Sequence, residues 1–166
     1  LGIVDHGPEP NNLTDLGLHS ATVFLDPTAP PSRRYRATGC GYPGLFLVNP
    51  GVTDSGYYTA HSADGLRWTL DDDKPRWPAS DVITSVWHPG RECGLTAMKY
   101  TPRWMRIARR SIHTAQMRDG VYSDSVTALY PDEFDDLCAC TRGFHSCDYY
   151  GMGMLPAGQG TVCPVP

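Results

Sequence analysis

Apolar residues in this chain come in short alternating runs, and almost every run stops at a proline or a glycine. Ala21-Thr22-Val23-Phe24-Leu25 is rich in β-branched and aromatic side chains and halts at Asp26-Pro27. Arg34 to Thr38 alternates and halts at Gly39. Tyr57 to Ser62 leads into Asp64-Gly65, and Leu66 to Leu70 leads out again. Two β-prone runs around a tight Asp-Gly turn predict a hairpin. Asp71-Asp72-Asp73-Lys74-Pro75 then breaks the pattern as a solvated loop.

The same order recurs further along. Asp81 to Trp87 predicts a strand ending at His88-Pro89, and Gly94 to Tyr100 a second ending at Thr101-Pro102. Arg106 to Met117 predicts a third leading to Asp119-Gly120, and Val121 to Tyr130 a fourth ending at Pro131. Asp148 to Leu155 starts the series again and ends at Pro156. Pro27, Pro89 and Pro156 therefore close the first strand of three successive units, 62 and 67 residues apart. The second strands, around Ala37 and Lys99, both lie ten residues past their closing proline. Four strands per unit with long loops is the pattern of a propeller blade, and a β-sandwich is the alternative. The expected fold is all-β: an incomplete β-propeller with blades over 19–80 and 81–147, the start of another over 148–166, and the tail of an earlier one before residue 20. Propellers close with at least about four blades, so the chain is expected to be a piece of a longer protein.

Composition narrows the function. The 166 residues suit one domain. Seventeen glycines and fifteen prolines leave little room for long helices. The net charge of −4 excludes the basic surface that a nucleic-acid binder needs. No apolar run approaches the ~18 residues of a membrane span. Leu1 is not followed by a signal-peptide pattern, so the N-terminus carries no compartment information, but the even number of cysteines slightly favours export. The cysteines, at 40, 93, 138, 140, 147 and 163, allow fifteen pairings. Cys138, Cys140, His145 and Cys147 could surround a zinc ion, but only one residue separates the first two, where structural zinc sites usually have two or more. No metal or cofactor is expected.

The repeat also brings candidate chemistry together. Eight residues before each closing proline stand His19, Asp81 and Asp148. If these begin the innermost strands of successive blades, they converge on one mouth of a central channel. Two carboxylates across a polar cleft suit glycosidic hydrolysis: one protonated to donate to the leaving oxygen, one ionised as nucleophile or base. Asp81 and Asp148 are the expected catalytic pair. His19, Asn12 and Arg110 are the expected substrate-binding groups, and only one of Arg109 and Arg110 can face a given side of a strand. Asp26, before a proline at a strand exit, is expected to shape a turn. Asp132, Asp135 and Asp136 are expected in a solvated loop, with calcium binding the alternative. Trp68 is expected to pack on its own hairpin, and Trp87 between blades.

His19 to Pro27, followed by Arg34-Tyr35-Arg36, resembles the opening of a blade in the five-bladed propeller glycoside hydrolases of families 43, 32 and 68. These include arabinanases, β-xylosidases, invertases and levansucrases. Ser62-Ala63-Asp64-Gly65-Leu66-Arg67-Trp68 resembles the Ser-x-Asp-Gly-x-x-Trp hairpin of such proteins and is close to the sialidase Asp-box. Tyr130 to Asp136 and Asp148-Tyr149-Tyr150-Gly151-Met152 resemble segments of uncharacterised bacterial members. The resemblance implies five blades, a carbohydrate substrate and hydrolysis of a glycosidic bond. It also implies three acidic residues on consecutive blades, one of them a Glu acid, whereas the three positions here read His, Asp, Asp. Glu92-Cys93 resembles the Glu-Cys pair of invertases but follows Pro89 instead of starting a strand. A carbohydrate-binding or interaction propeller without chemistry is the alternative function, and self-association through exposed blade edges is expected in either case.

Overall fold

The computed structural model describes residues 14–43, 51–78, 80–101, 103–104, 107–157 and 160–162. Two antiparallel five-stranded sheets dominate it. The first joins β1 (His19–Leu25), β2 (Tyr35–Gly41), β3 (Gly56–Ser62) and β4 (Thr69–Leu70) in that order, with β5 (Trp77–Pro78) also paired to β3. The second contains β6 (Ile83–His88), β7 (Cys93–Tyr100), β10 (Ser111–Arg118), β11 (Val121–Tyr122) and β12 (Val126–Leu129). There β6, β7 and β10 run side by side, and β11 and β12 both pair with β10. Between β7 and β10 in the sequence, β8 (Arg103–Trp104) and β9 (Ile107–Ala108) pair as a small separate two-stranded sheet. The helix α1 (Glu133–Thr141) follows the second sheet, and β13 (Leu155–Ala157) pairs with β14 (Gly160–Val162). The chain is thus all-β in character: β1, β2, β3, β6 and β7 stand where the apolar alternation predicts strands, whereas the run expected over 106–117 starts its long strand only at Ser111 and the run expected over 121–130 is split into β11 and β12.

The two sheets follow one plan. Each first strand, β1 or β6, passes through a single 3-10 turn, Pro31–Arg33 or Pro89–Arg91, before the second strand. Each third strand returns through a turn holding a left-handed glycine, Gly65 or Gly120, at φ of 76° and 77°. An L side chain is strained in that conformation. In the first of these turns, the Ser62 hydroxyl accepts the Asp64 and Gly65 backbone N–H groups at 3.2 and 2.9 Å. One Asp64 carboxylate oxygen accepts those of Leu66 and Arg67 at 2.8 and 2.9 Å. The Trp68 indole N–H donates to the Gly65 carbonyl at 3.1 Å, so Trp68 does pack on its own hairpin. This turn consumes 62–68 and shortens the expected fourth strand to Thr69–Leu70.

The main core lies between the sheets. Phe24, Cys40, Tyr57 and Trp77 from the first meet Ile83, Met98, Ala115, Met117 and Tyr122 from the second, with Trp87 packed against them. Burying a large apolar side chain of this kind contributes about 1.5–3 kcal/mol. Gly94 is glycine because a Cβ there would stand 2.9 Å from the Phe24 ring. β2 and β3 are buried along almost their whole length, since Leu16, Leu18, Trp68 and Leu70 cover their other face at Ala37 and Ala60.

Polar contacts fix how the sheets meet. The Thr22 hydroxyl donates to the Ile83 carbonyl at 3.1 Å. The buried hydroxyls of Thr38, Ser85 and Thr96 form a chain at 2.7 and 2.9 Å. Thr22 meets Ile83, and two residues later Phe24 meets Gly94, the ladder partner of Trp87. The strands β1 and β6 therefore point the same way, and their N-terminal ends lie at the same side of the molecule.

Two expectations are corrected. The acidic run is no loop: Asp132 caps α1, accepting the Phe134 and Asp135 N–H groups, while Asp135 accepts the Asp132 N–H. This reciprocal capping, with the helix dipole favouring acids in the first turn, turns a charged stretch into a helix start. The stretch 148–154 carries no strand, and pairing begins only at Leu155.

Asp26 is 1% exposed and accepts from the Thr28 N–H and hydroxyl and from Arg36, itself 2% exposed, at 3.3 Å. It shapes the turn after β1, as expected, and also neutralises a buried guanidinium. Asp26→Ala strands that cation, which costs about 3 kcal/mol or more. A thermal melt of the variant should show Tm lower by roughly 6–12 °C. A wild-type melt would mean that Arg36 does not depend on Asp26.

Candidate functional site

Asp81 stands two residues before β6, and the first sheet grips the backbone on both sides of it. Cys40 and Tyr42 donate to the Ser80 carbonyl, the thiol at 2.7 Å. The Tyr57 hydroxyl lies 2.9 Å from the carbonyls of both Val82 and Lys99. Burial pushes the Cys40 thiol and the Tyr42 and Tyr57 phenols up, so all three keep their protons as donors. Residues 80 and 82 are thereby fixed, and the Asp81 side chain projects from a rigid support.

The Asp81 carboxylate forms an ion pair with Lys99 and accepts the Tyr150 hydroxyl at 3.1 Å. Lys99 is 4% exposed, and its ammonium sits 4.0 Å from the centre of the Tyr150 ring. The Arg110 guanidinium lies 5.1 Å from that same ring. Tyr150 thus bridges an acid and two cations, a cation–π arrangement that gains strength where water is excluded. Partial burial works to raise the Asp81 pKa. The Lys99 ammonium and Tyr150 hydroxyl overcome it and hold the carboxyl below the ordinary carboxylate range. One third of the Asp81 side chain remains open to solvent.

Asp148 reaches this group through the backbone. Its carboxylate accepts the Arg110 N–H at 3.0 Å, and the Tyr149 N–H donates to the Arg110 carbonyl at 3.3 Å. Those two bonds lay 148–150 alongside Arg110 and deliver Tyr150 to Asp81. The neighbouring Arg109 has a structural task. It holds Asp136 of α1 in a two-pronged pair at 2.9 and 2.7 Å and donates to the Cys147 carbonyl. Only one of the two arginines faces the cluster, and it is Arg110.

His19 starts β1 beside a bulge. The ladder skips between His19 and Thr22, and Ser20 adopts φ of 51°. Bulges of this kind re-aim a side chain. The His19 ring stands 6.1 Å from that of Tyr42, which anchors Ser80 next to Asp81. The contacts therefore run His19 to Tyr42 to the Asp81 support, and Asp81 to Tyr150 to Arg110 to Asp148. Asn12 lies outside the described residues. Glu92 is exposed in a left-handed turn at φ of 48°, at the far end of β6 from Asp81. Cys138, Cys140 and Cys147 carry free thiols, and no metal-holding group of His, Cys, Asp or Glu occurs among the described residues. No helix among them is long and apolar enough to cross a membrane.

Lys99 and Tyr150 are the residues that the sequence pattern missed. The available signal was a lysine, one of only two in the chain, inside an otherwise apolar strand. Together the cluster offers an ionised carboxylate, an ammonium, a phenol and a guanidinium, which can hold hydroxyl groups of a ligand by donation and acceptance. No protein-family model, curated protein or solved structure matches the chain.

Lys99→Met removes the main charge holding the Asp81 proton off. The Asp81 pKa should rise, as read from a carboxyl-carbon NMR titration. Because the native pKa is depressed, the ion pair stabilises the fold above the unfolded pKa of about 4 and loses that effect as pH falls through the native value. The wild type should therefore lose stability more steeply than Lys99→Met when acidified below about pH 4. Equal acid sensitivity would show that Lys99 does not govern Asp81.

Proposed function

We propose that the chain is part of a five-bladed β-propeller of glycoside-hydrolase type and that the Asp81 cluster faces the sugar. In this reading the sheets are consecutive blades over 19–80 and 81–147, and the stretch from 148 begins another. The seam between the sheets supports it, because it recurs. Thr22 donates to the Ile83 carbonyl, and Thr84, at the matching position of β6, donates to the Met152 carbonyl at 2.5 Å. Met152, Tyr149 and Met154 pack on Ala97, Ile112 and Leu129 much as the second sheet packs on the first. Val23 and Leu25, about half exposed on β1, then represent the face for a preceding blade.

The observation that carries the functional reading is an Asp81 carboxylate held ionised at the end where two first strands begin together. As nucleophile or base it needs to be ionised, and the Lys99 and Tyr150 contacts supply that condition. Asp148 is the second carboxylate. His19, Asn12 and Arg110 hold substrate hydroxyls. Carbohydrate binding without chemistry is the second reading. It is favoured by the direct Lys99 contact, since a carboxylate already engaged by an ammonium is a weaker nucleophile.

Asp81→Asn and Asp148→Asn should each lower turnover of aryl glycosides per folded molecule by at least about 10²-fold, the lower bound for direct acid–base participation. Asp26→Asn should leave turnover per folded molecule unchanged. Wild-type rates for both site variants would overturn the catalytic assignment. Oligosaccharide binding with no hydrolysis would establish the second reading. The open faces of β1 should also make the 166-residue chain dimerise or aggregate, and a sharp monomeric peak in size-exclusion chromatography would count against the missing-blade argument.

A further inference from the structure

The chain holds two Asp-Gly dipeptides, Asp64-Gly65 and Asp119-Gly120, each in the turn that follows the third strand of its sheet. Asp-Gly is prone to a spontaneous intramolecular reaction. The glycine backbone nitrogen attacks the carboxyl carbon of the Asp side chain, and no Cβ on the glycine shields it. The new C–N bond closes a succinimide ring, and the carboxyl hydroxyl leaves with the nitrogen's proton as water. Water then adds to either ring carbonyl and breaks its bond to nitrogen. One opening restores Asp. The other gives isoaspartate, whose backbone runs through the side-chain methylene. One water leaves and one returns, so the reaction needs no oxidant, cofactor or partner.

The two dipeptides are chemically identical and differ only in their surroundings. At the first, both reacting groups are held. One Asp64 oxygen accepts the Leu66 and Arg67 N–H groups at 2.8 and 2.9 Å and the Ser62 hydroxyl at 3.0 Å. The attacking nitrogen, that of Gly65, donates to the Ser62 hydroxyl at 2.9 Å. The Arg67 and Leu66 N–H groups also hold the Asp64 carboxyl below the ordinary carboxylate range, which disfavours the protonated form from which water leaves. At the second dipeptide these restraints are missing. The Asp119 side chain is exposed, and its carboxylate makes no hydrogen bond or ion pair among the described residues. The Gly120 N–H points at the Met117 sulfur at 3.2 Å, a weak acceptor. Asp119 and Gly120 both stand in the left-handed region, at φ of 52° and 77°, and β11 beyond them is only two residues long. A short hairpin of this kind opens locally at low cost.

We propose that Asp119 is a site of spontaneous conversion to isoaspartate in the folded protein, and that the Ser62–Trp68 turn protects Asp64 from the same reaction. The conversion at Asp119 reaches the core. The Gly120 backbone presses on Arg36, since a Cβ there would lie 2.6 Å from the guanidinium. Arg36 is the buried partner of Asp26. Two residues on, Tyr122 is buried and packs edge-on to Trp77 at 5.5 Å. An extra backbone methylene just before Gly120 shifts the ladder pairs Met117–Tyr122 and Arg118–Val121 and spoils the fit of the turn against Arg36. The isomerised chain is therefore less stable than the chain it came from.

The test incubates the full chain in mildly acidic heavy-oxygen water, where part of the carboxyl population is protonated. Peptide mapping by mass spectrometry then follows label uptake and isoaspartate at both dipeptides. The Asp119 peptide should react at least about tenfold faster than the Asp64 peptide, the effect of losing one charge-assisted hydrogen bond. In guanidinium chloride the contacts of Asp64 are gone, and the two peptides should react at comparable rates. Ser62→Ala should speed the reaction at Asp64 in the folded chain. Asp119→Glu, whose longer side chain closes the ring poorly, should abolish it at 119. The isomerised fraction, separated by chromatography, should melt below the unreacted protein. Equal rates in the folded chain, or no reaction at Asp119, overturn the proposal. So does an Asp64 that stays slow in guanidinium chloride, because its protection then does not come from the fold. An isomerised fraction with an unchanged melt overturns the link to Arg36. The reaction involves neither Asp81 nor a sugar, so its outcome is independent of the hydrolase reading.

Discussion

The polar seam between β1 and β6 is the constraint on which the rest of the structure depends. An apolar interface alone would tolerate sliding, because packing contacts are many and individually weak. The Thr22 bond to Ile83 and the buried Thr38–Ser85–Thr96 hydroxyl chain do not tolerate it, since a shift leaves desolvated hydroxyls unpaired. That requirement fixes the two sheets in one relation. It places Phe24 against Gly94 and brings His19 and Asp81 to the same end.

The site then depends on supports contributed by residues far away in sequence. Asp81 belongs to the second sheet, yet Cys40, Tyr42 and Tyr57 of the first hold the backbone on either side of it. Tyr150, from a stretch without regular structure, completes the arrangement by touching Asp81, Lys99 and Arg110 at once. The carboxylate is therefore held in place by groups drawn from the first sheet and from the stretch around Tyr150. A short bulge at Ser20 and a backbone pair at Arg110 aim the outlying members.

Much of this is legible in the chain and some of it is not, for physical reasons. β1, β2, β3, β6, β7 and β10 stand out because alternation is imposed by the pleat and because prolines and glycines mark their ends. The positions of His19 and Asp81 follow from the repeat. The helix α1 escapes the same treatment. Its apolar residues Phe134 and Leu137 remain exposed, so no buried face with helical period marks it, and its cap uses Asp135 where a glutamate or glutamine is more usual. Lys99 escapes because a lone cation in an apolar strand acquires meaning only from Asp81 and Tyr150, and the latter lies 69 residues from its carboxylate partner.

The Ser62–Asp64 turn bears on the order in which the chain folds. The bonds made by the Ser62 hydroxyl, the Asp64 carboxylate and the Trp68 indole join residues no more than three apart, whereas those to Arg34 and Asp15 come from farther along the chain. The local bonds close a small loop and can form on the timescale of an isolated hairpin. The seam instead joins residues 61 and 47 positions apart, and the entropy of closing such loops must be met before any contact there contributes. Each sheet can therefore assemble as a local meander first and dock afterwards. Until docking, the buried hydroxyls remain hydrated and the Asp81 cluster does not exist, so the chemistry of this end of the molecule is acquired in the last step of folding.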